Sequence, residues 1–307
     1  MTWWGIIGAG AIARTGRAAL RSAVGVTGRF ATRAAAVFVA ALAVVAAALL
    51  LGAAGPGSLP PRYEHIVIVI EENHSAAQVM ESPYLSSLAA RGTFFSAMYG
   101  ITHPSQPNYV ALFSGSTQGV KDDGVHDLHA PNLATSLAAA GLSFATYSEG
   151  LPSEGSRVAS RGRYVRKHNP AASFTNVPGS SNLPLQSFPA DFSRLPTVSF
   201  VIPDLAHDMH DGSVAQGDEW LKENLDGYAR WAPANASLLV LTFDECAGRD
   251  PVDSTPIATI LVGASVRPGV SAQRVTLYSL LRMIEEIYGL PTLAEEGTAP
   301  RITGVWD

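Results

Sequence analysis

His65-Ile-Val-Ile-Val-Ile70, running straight into Glu71-Glu72-Asn73-His74, is the stretch on which the fold turns. After His65 every position is apolar, with no polar alternation. That pattern means burial on both faces, as in a parallel sheet covered by helices. Similar runs recur at Leu142–Tyr147, Thr197–Ile202 and Ser237–Phe243, and a further one at Pro256–Val262. Helical patterns separate them at Tyr84–Ala90, Asn132–Ala140 (Gly141 as a stop), Asp218–Trp231 and Val275–Tyr288 (before Gly289). The alternation predicts an α/β domain with three α/β/α layers and a mostly parallel sheet. The Pro- and Ser-containing text at 178–190 reads as a long surface loop.

Open α/β sheets bind ligands beyond the carboxyl ends of their strands. Here the first strand delivers Glu72, Asn73 and His74. The third delivers Asp204 and then His207-Asp208-Met209-His210-Asp211, and the fourth delivers Asp244-Glu245. Singly, each has an ordinary reading: Asn73 and Ser75 suit a helix cap, and 204–211 suits a solvated loop. Asp244-Glu245 is harder to dismiss, because a carboxylate beside a buried strand is costly without a cation or donors. Together the clusters predict a metal-dependent active site.

Composition bounds the rest. Of 307 residues, 47% are hydrophobic and 15% charged, which excludes a mainly disordered chain. Cys246 stands alone, so no disulfide framework exists. The net charge is −5, although Arg14, Arg17, Arg21, Arg29 and Arg33 sit in an N-terminal region free of acid. The domain itself is therefore more acidic still, which argues against nucleic acid as a partner. Residues 1–33 read as a basic cytoplasmic segment, and 34–54 as an uncharged transmembrane anchor or signal peptide. Gly52, Ala53 and Ala54 offer a cleavage site. Residues 55–61 form a Pro-rich linker, and 62–307 the catalytic domain. The positive flank predicts that this domain lies outside the cell membrane, or is secreted if the leader is cleaved.

The most informative segment is Thr102-His103-Pro104-Ser105-Gln106-Pro107-Asn108-Tyr109. Two prolines hold Ser105 in a stiff turn ahead of an apolar helix, whose N-terminal dipole and free N–H groups suit a phosphate. The ordinary alternative is a serine in a Pro-rich loop. No Gly-x-Ser-x-Gly elbow, Walker A loop or Gly-x-Gly-x-x-Gly fingerprint occurs, which removes support for esterase, nucleotide-dependent and dinucleotide chemistries.

Over about residues 63–295 the chain resembles the bacterial phosphoesterase family of secreted acid phosphatases and phospholipases C, within the alkaline-phosphatase-like superfamily. It is most like the small secreted acid phosphatases, some of them described as phosphatidylinositol-3-phosphatases. The likeness rests on Ile70–Ser75 (IEENHS), Thr102–Tyr109, Phe113–Gly119 (FSGSTQG), Arg166–Pro170 (RKHNP), Asp208–Ser213 (DMHDGS) and Gly217–Leu221 (GDEWL). Thr242–Glu245 (TFDE) and Tyr288–Pro291 (YGLP) extend it.

The resemblance implies an alkaline-phosphatase-like fold and an exported, metal-dependent acid phosphatase. Such an enzyme hydrolyses phosphomonoesters, with phosphoinositides one candidate class, through a phosphoserine. It implies Ser105 as nucleophile and Asn108 as a contact to the transferring phosphoryl group. Glu72, Asn73, Ser105, Asp244 and Glu245 match metal-binding positions; Mg, Ca, Mn or Fe would all suit such a donor set. His103, Lys167, His168 and His210 match polar positions around the phosphate. Asp204 and Asp211 are expected to support those histidines or to hold a second metal. Rival readings are a phospholipase C-type phosphodiesterase and a catalytically inactive surface-binding domain. Two departures stand out: relatives commonly continue the Asp-Glu pair with acids where this chain has Cys246-Ala-Gly-Arg249, and a cysteine pair common at 120–165 is absent.

Overall fold

The apolar run at 65–70 forms β1 (His65–Glu71), buried on both faces in the middle of a nine-stranded sheet. The computed structural model describes residues 59–293 and 298–307; the leader, with residues 55–58 of the linker, lies outside the described residues. Along the chain follow α1 (Ala76–Val79), α2 (Pro83–Ala90), β2 (Thr93–Tyr99), α3 (Ser105–Ser114), α4 (Leu133–Ala139) and β3 (Phe144–Ser148). A small ribbon of β4 (Ser160–Arg161) and β5 (Tyr164–Val165) precedes α5 (Pro170–Ser173), β6 (Asn182–Pro184), β7 (Val198–Ile202) and α6 (Val214–Trp231). The chain ends with β8 (Ser237–Phe243), β9 (Ile257–Gly263), β10 (Gly269–Ser271), β11 (Val275–Thr276) and α7 (Leu277–Tyr288). Asn132 caps α4 by accepting from Thr135 N, and Gly289 ends α7 at φ 65°, a left-handed conformation suited to glycine.

The strand order is β10-β2-β9-β8-β1-β7-β3-β6, with β11 also beside β2. β8, β1, β7, β3 and β6 run parallel. Helices cover both faces, as fully buried β7 and β8 require, with α3 against α7 and α2 against α6.

Two sequence expectations need correction, and one strand has no counterpart in the sequence reading. The strand near 256–262 is antiparallel to β8, because the connection from Phe243 is a loop rather than a helical crossover. The 178–190 segment is not all loop: it carries β6, and Pro184 is tolerated there because the strand lies at the sheet edge. Strand β2 went unpredicted, its pattern broken by exposed Ser96 and a register shift between Phe95 and Met98.

That strand matters for function. Since β2 is antiparallel to β9, and β9 to β8, β2 points the same way as β1, β7 and β8. Its carboxyl end therefore brings residues 100–105 to the edge where the other strands deliver their acids. Gly100 makes the approach possible: a Cβ there would stand 2.8 Å from the Asp244 carbonyl oxygen and 3.2 Å from Glu245 Cα.

Candidate active site

Helix α3 is buried at all ten positions and begins at Ser105, with Pro104 in extended geometry before it. The Ser105 hydroxyl donates to Glu72 Oε2 at 2.8 Å, and lies 3.4 Å from both Asn73 Oδ1 and Glu245 Oε1. Asn73 adopts a left-handed φ of 52°, which asparagine tolerates better than most residues. Its N–H donates to Asp244 Oδ1 at 3.1 Å. The other Asp244 oxygen, Oδ2, is buried without a hydrogen-bond partner.

Burial raises every one of these carboxyls. Asp244 is pushed up to about 7, against two backbone hydrogen bonds that oppose the shift. Glu245 is pushed up to about 9, the charges of Asp244 and Asp123 adding to burial. Glu72 moves well above the usual range, with Asp244 and Asp208 reinforcing burial. Clustered buried carboxyls resist ionisation unless a cation joins them. Glu72, Asp244, Glu245, Asn73 and Ser105 together make an oxygen-rich donor set, of the kind that holds a hard cation. The orphaned Asp244 Oδ2 is the atom that fits such an ion best.

Around this set lie two histidines and a lysine. His168 is buried between two acids, Nδ1 3.1 Å from Asp208 Oδ2 and Nε2 3.0 Å from Glu72 Oε1. Its ring stacks on Tyr109, whose hydroxyl donates to Glu72 Oε1 at 2.7 Å. Burial, then the charges of Lys167 and His210, lowers the His168 pKa well below its ordinary value. Lys167 donates to Asp123 Oδ2 at 2.9 Å. Burial works against its charge, but that bond and the charges of Glu72, Asp123 and Asp244 raise its pKa. His210 holds Asp211 through Nδ1 at 2.7 Å, and its N–H donates to Asp208 Oδ1.

Other sequence-predicted residues take more structural places. Asn108 Oδ1 accepts from Ile101 N and Thr102 N, while Nδ2 donates to Thr102 O, Pro104 O and Glu245 Oε2. It thus clamps the loop that presents Ser105. His103 lies with Nδ1 2.6 Å from Glu245 Oε2 and Nε2 2.8 Å from the Asp250 carbonyl oxygen. Asp204 stands with Glu149 and His207: His207 Nδ1 is 2.9 Å from Glu149 Oε2 and 3.4 Å from Asp204 Oδ1. The ligand atoms of that trio lie within 4.8 Å of one another.

The sequence profile of the Phosphoesterase family matches residues 79–291. A phosphatidylinositol-3-phosphatase of Mycobacterium tuberculosis is 45% identical over 253 residues, 80% of this chain and 84% of that protein. The chain belongs to the Phosphoesterase family. More distant is an acid phosphatase of Aspergillus fumigatus, 28% identical over 67% of this chain and half of its own length. Among solved structures, a Vibrio parahaemolyticus protein of the alkaline phosphatase superfamily overlays with a TM-score of 0.56 at 14% identity, covering 78% of this chain and 69% of that one. That likeness places the phosphoesterase fold in the alkaline-phosphatase class.

Three residues of this phosphoesterase site escaped sequence reasoning. Asp208, rather than Asp204 or Asp211, backs His168. Tyr109 shares Glu72 with it. Asp123 links Lys167 to the start of α3, accepting from Gln106 N at 3.0 Å. Asp208 was visible within its His/Asp cluster, and Tyr109 one residue beyond Asn108. Asp123 sits in an acidic turn with no signal of its own.

Proposed function

We propose that this phosphoesterase is an exported, metal-dependent phosphatase that hydrolyses phosphomonoesters through a phosphoserine on Ser105. The observation that carries the reading is the Ser105 hydroxyl, set at the N-terminus of a buried helix and ringed by Glu72, Asn73 and Glu245. Glu72, Asn73, Ser105, Asp244 and Glu245 would hold the ion. When bound, a hard cation supplies positive charge that acidifies a serine hydroxyl and neutralises phosphate. The names of the relatives favour monoesters, and the 45% identical one makes phosphoinositides the first substrates to try.

The chain's own residues divide the work. Ser105 Oγ attacks phosphorus in line, its proton passing to Glu72 Oε2, the nearest acceptor at 2.8 Å. Lys167 and the helix N-terminus face the charge gathering on the phosphoryl oxygens. The alcohol leaves as the P–O bond breaks and takes a proton from His210. His103 suits that task less well, since both its ring nitrogens are already engaged. In the second half, neutral His210 accepts a proton from the attacking water, phosphate departs, and Ser105 regains its hydrogen.

The test is a rapid acid quench with labelled phosphomonoester, followed by peptide mapping. Label on the Ser105 peptide, and none in Ser105→Ala, is the expected result. Label on a histidine, or near-normal turnover by Ser105→Ala, overturns the covalent mechanism. Preferential cleavage of a diester would instead favour a phospholipase C-type activity.

A further inference from the structure

Asp123 occupies a place that the mechanism leaves for substrate. Its Oδ1 accepts the Gln106 N–H at 3.0 Å, and its Oδ2 accepts from Lys167 Nζ at 2.9 Å. The first donor belongs to the residue after the nucleophile, in the N-terminal turn of α3, where backbone N–H groups lack helical partners. The second is the cation closest in chain to His168. Two donors that converge on one carboxylate are the pair that a phosphoryl group would need. Asp123 also lies near enough to Glu245 for its charge to act on that residue. Through Gln106 and Lys167 it stands beside the residues proposed to act on phosphate. Its side chain keeps 33% of its exposure against 16% for Lys167, so the carboxylate forms the outer, solvent-facing side of the pair.

The turn that carries it is braced by contacts besides those of Asp123. Asp122 Oδ1 accepts from Gly124 N and lies 2.8 Å from His126 Nε2, while Asp127 pairs with Arg157 and Arg166. None of these contacts uses the Asp123 side chain, so its release from the two donors breaks none of them.

From this arrangement we infer that Asp123 is an internal competitor for the phosphoryl-binding donors. It sets how tightly phosphate and phosphomonoesters bind, because it must surrender Lys167 and the Gln106 N–H before either can take them. The inference rests on Ser105 and Lys167 being the reaction centre. It adds a selectivity rule: a dianionic phosphoryl group displaces the carboxylate more readily than a singly charged diester, since it gains more from Lys167. Asp123 thus biases the site towards monoesters.

Asp123→Asn is the informative change, because the amide oxygen still accepts from Gln106 N while the charge competing for Lys167 is gone. Calorimetric titration with inorganic phosphate should show binding tighter by on the order of ten-fold, the worth of one charge-assisted hydrogen bond. The inhibition constant of phosphate and the KM for a chromogenic monoester should fall in parallel, and preference for monoester over diester should shrink. Asp122→Asn removes the same charge one residue away, from a side chain that touches neither donor, and should leave phosphate affinity unchanged. In a Lys167→Met background the gain from Asp123→Asn should vanish. Should Asp123→Asn fail to fold, Asp123→Ser, with another good helix-capping group, replaces it.

Unchanged or weaker phosphate binding in Asp123→Asn would overturn the inference, leaving Asp123 as a brace for Lys167. An equal gain from Asp122→Asn, or one that persists without Lys167, would overturn it in favour of a general field effect. Failure of the functional reading looks different. A wild-type chain that binds phosphate, responds to Asp123→Asn, yet turns over no monoester would refute that reading while leaving the competitor in place.

Discussion

Prepared free of metal, this protein should become progressively less stable as the pH rises from acid to neutral. A carboxyl that holds its proton more tightly in the folded state makes that state bind more protons between the two pKa values. Stability then falls as pH rises across that window. For Asp244 the window runs from the ordinary 3.8 to about 7, and for Glu245 from 4.5 to about 9. Glu72 acts in the same direction. For Asp244 alone the loss is about 4 kcal/mol, since one pKa unit is worth about 1.4 kcal/mol. Against a total of about 5–15 kcal/mol, that is a large fraction. It corresponds to a fall in Tm on the order of 10 °C for a domain of this size. Added cation should reverse the fall near neutral pH and do little in acid, where protons hold the same oxygens. Scanning calorimetry of chelator-treated and reloaded protein across the pH range measures both effects. Asp244→Asn should flatten the slope and lose bound metal by elemental analysis. A stripped protein as stable at neutral pH as in acid, and indifferent to added cation, would refute the reasoning.

Asp208→Asn should lower kcat by about 10- to 100-fold with little change in KM, as loss of an outer partner does at a metal site; steady-state kinetics and the His168 ring signals in NMR report it. Gly100→Ala forces a Cβ to within 2.8 Å of the Asp244 carbonyl oxygen. It should cost about 1–3 kcal/mol of stability, as overpacking does, and reduce turnover more than that loss implies, read by Tm and kcat together. Given the Arg29 and Arg33 flank of an uncharged 21-residue run, protease added to intact, wall-stripped cells should digest residues 62–307; full protection would count against export.

The sequence displays the buried strands because burial on two faces leaves no polar alternation to blur them, and β1, β7 and β8 all fall where that signal lies. It displays the acids at their ends for a related reason, since Glu72 and Asp244 follow those runs directly. Strand β2 is hidden because it mixes buried Phe95 with exposed Ser96, and its bulge shifts the period. With β2 unseen, the reason Ser105 meets Glu72 and Glu245 is unseen too. The direction of β9 depends on a loop whose path no local pattern records. Partners such as Asp208 behind His168, and Asp123 behind Lys167, are set by tertiary approach across about forty residues of chain, which periodicity cannot register.

The departure at Cys246–Arg249 has a physical outcome in this fold. Arg249 is exposed, so its charge stays in water, while Cys246 is buried with Sγ 3.4 Å from the Asp250 carbonyl oxygen. The turn folds back so that the same carbonyl lies 2.8 Å from His103 Nε2. A carbonyl can only accept, so Nε2 carries hydrogen. Nδ1 then faces Glu245 Oε2 at 2.6 Å. Both ring nitrogens of His103 are thus engaged, which leaves neither free for a leaving alcohol. His210 pairs with Asp211 through Nδ1, and among the described residues no hydrogen bond engages its Nε2, which accords with the proposed role as proton donor.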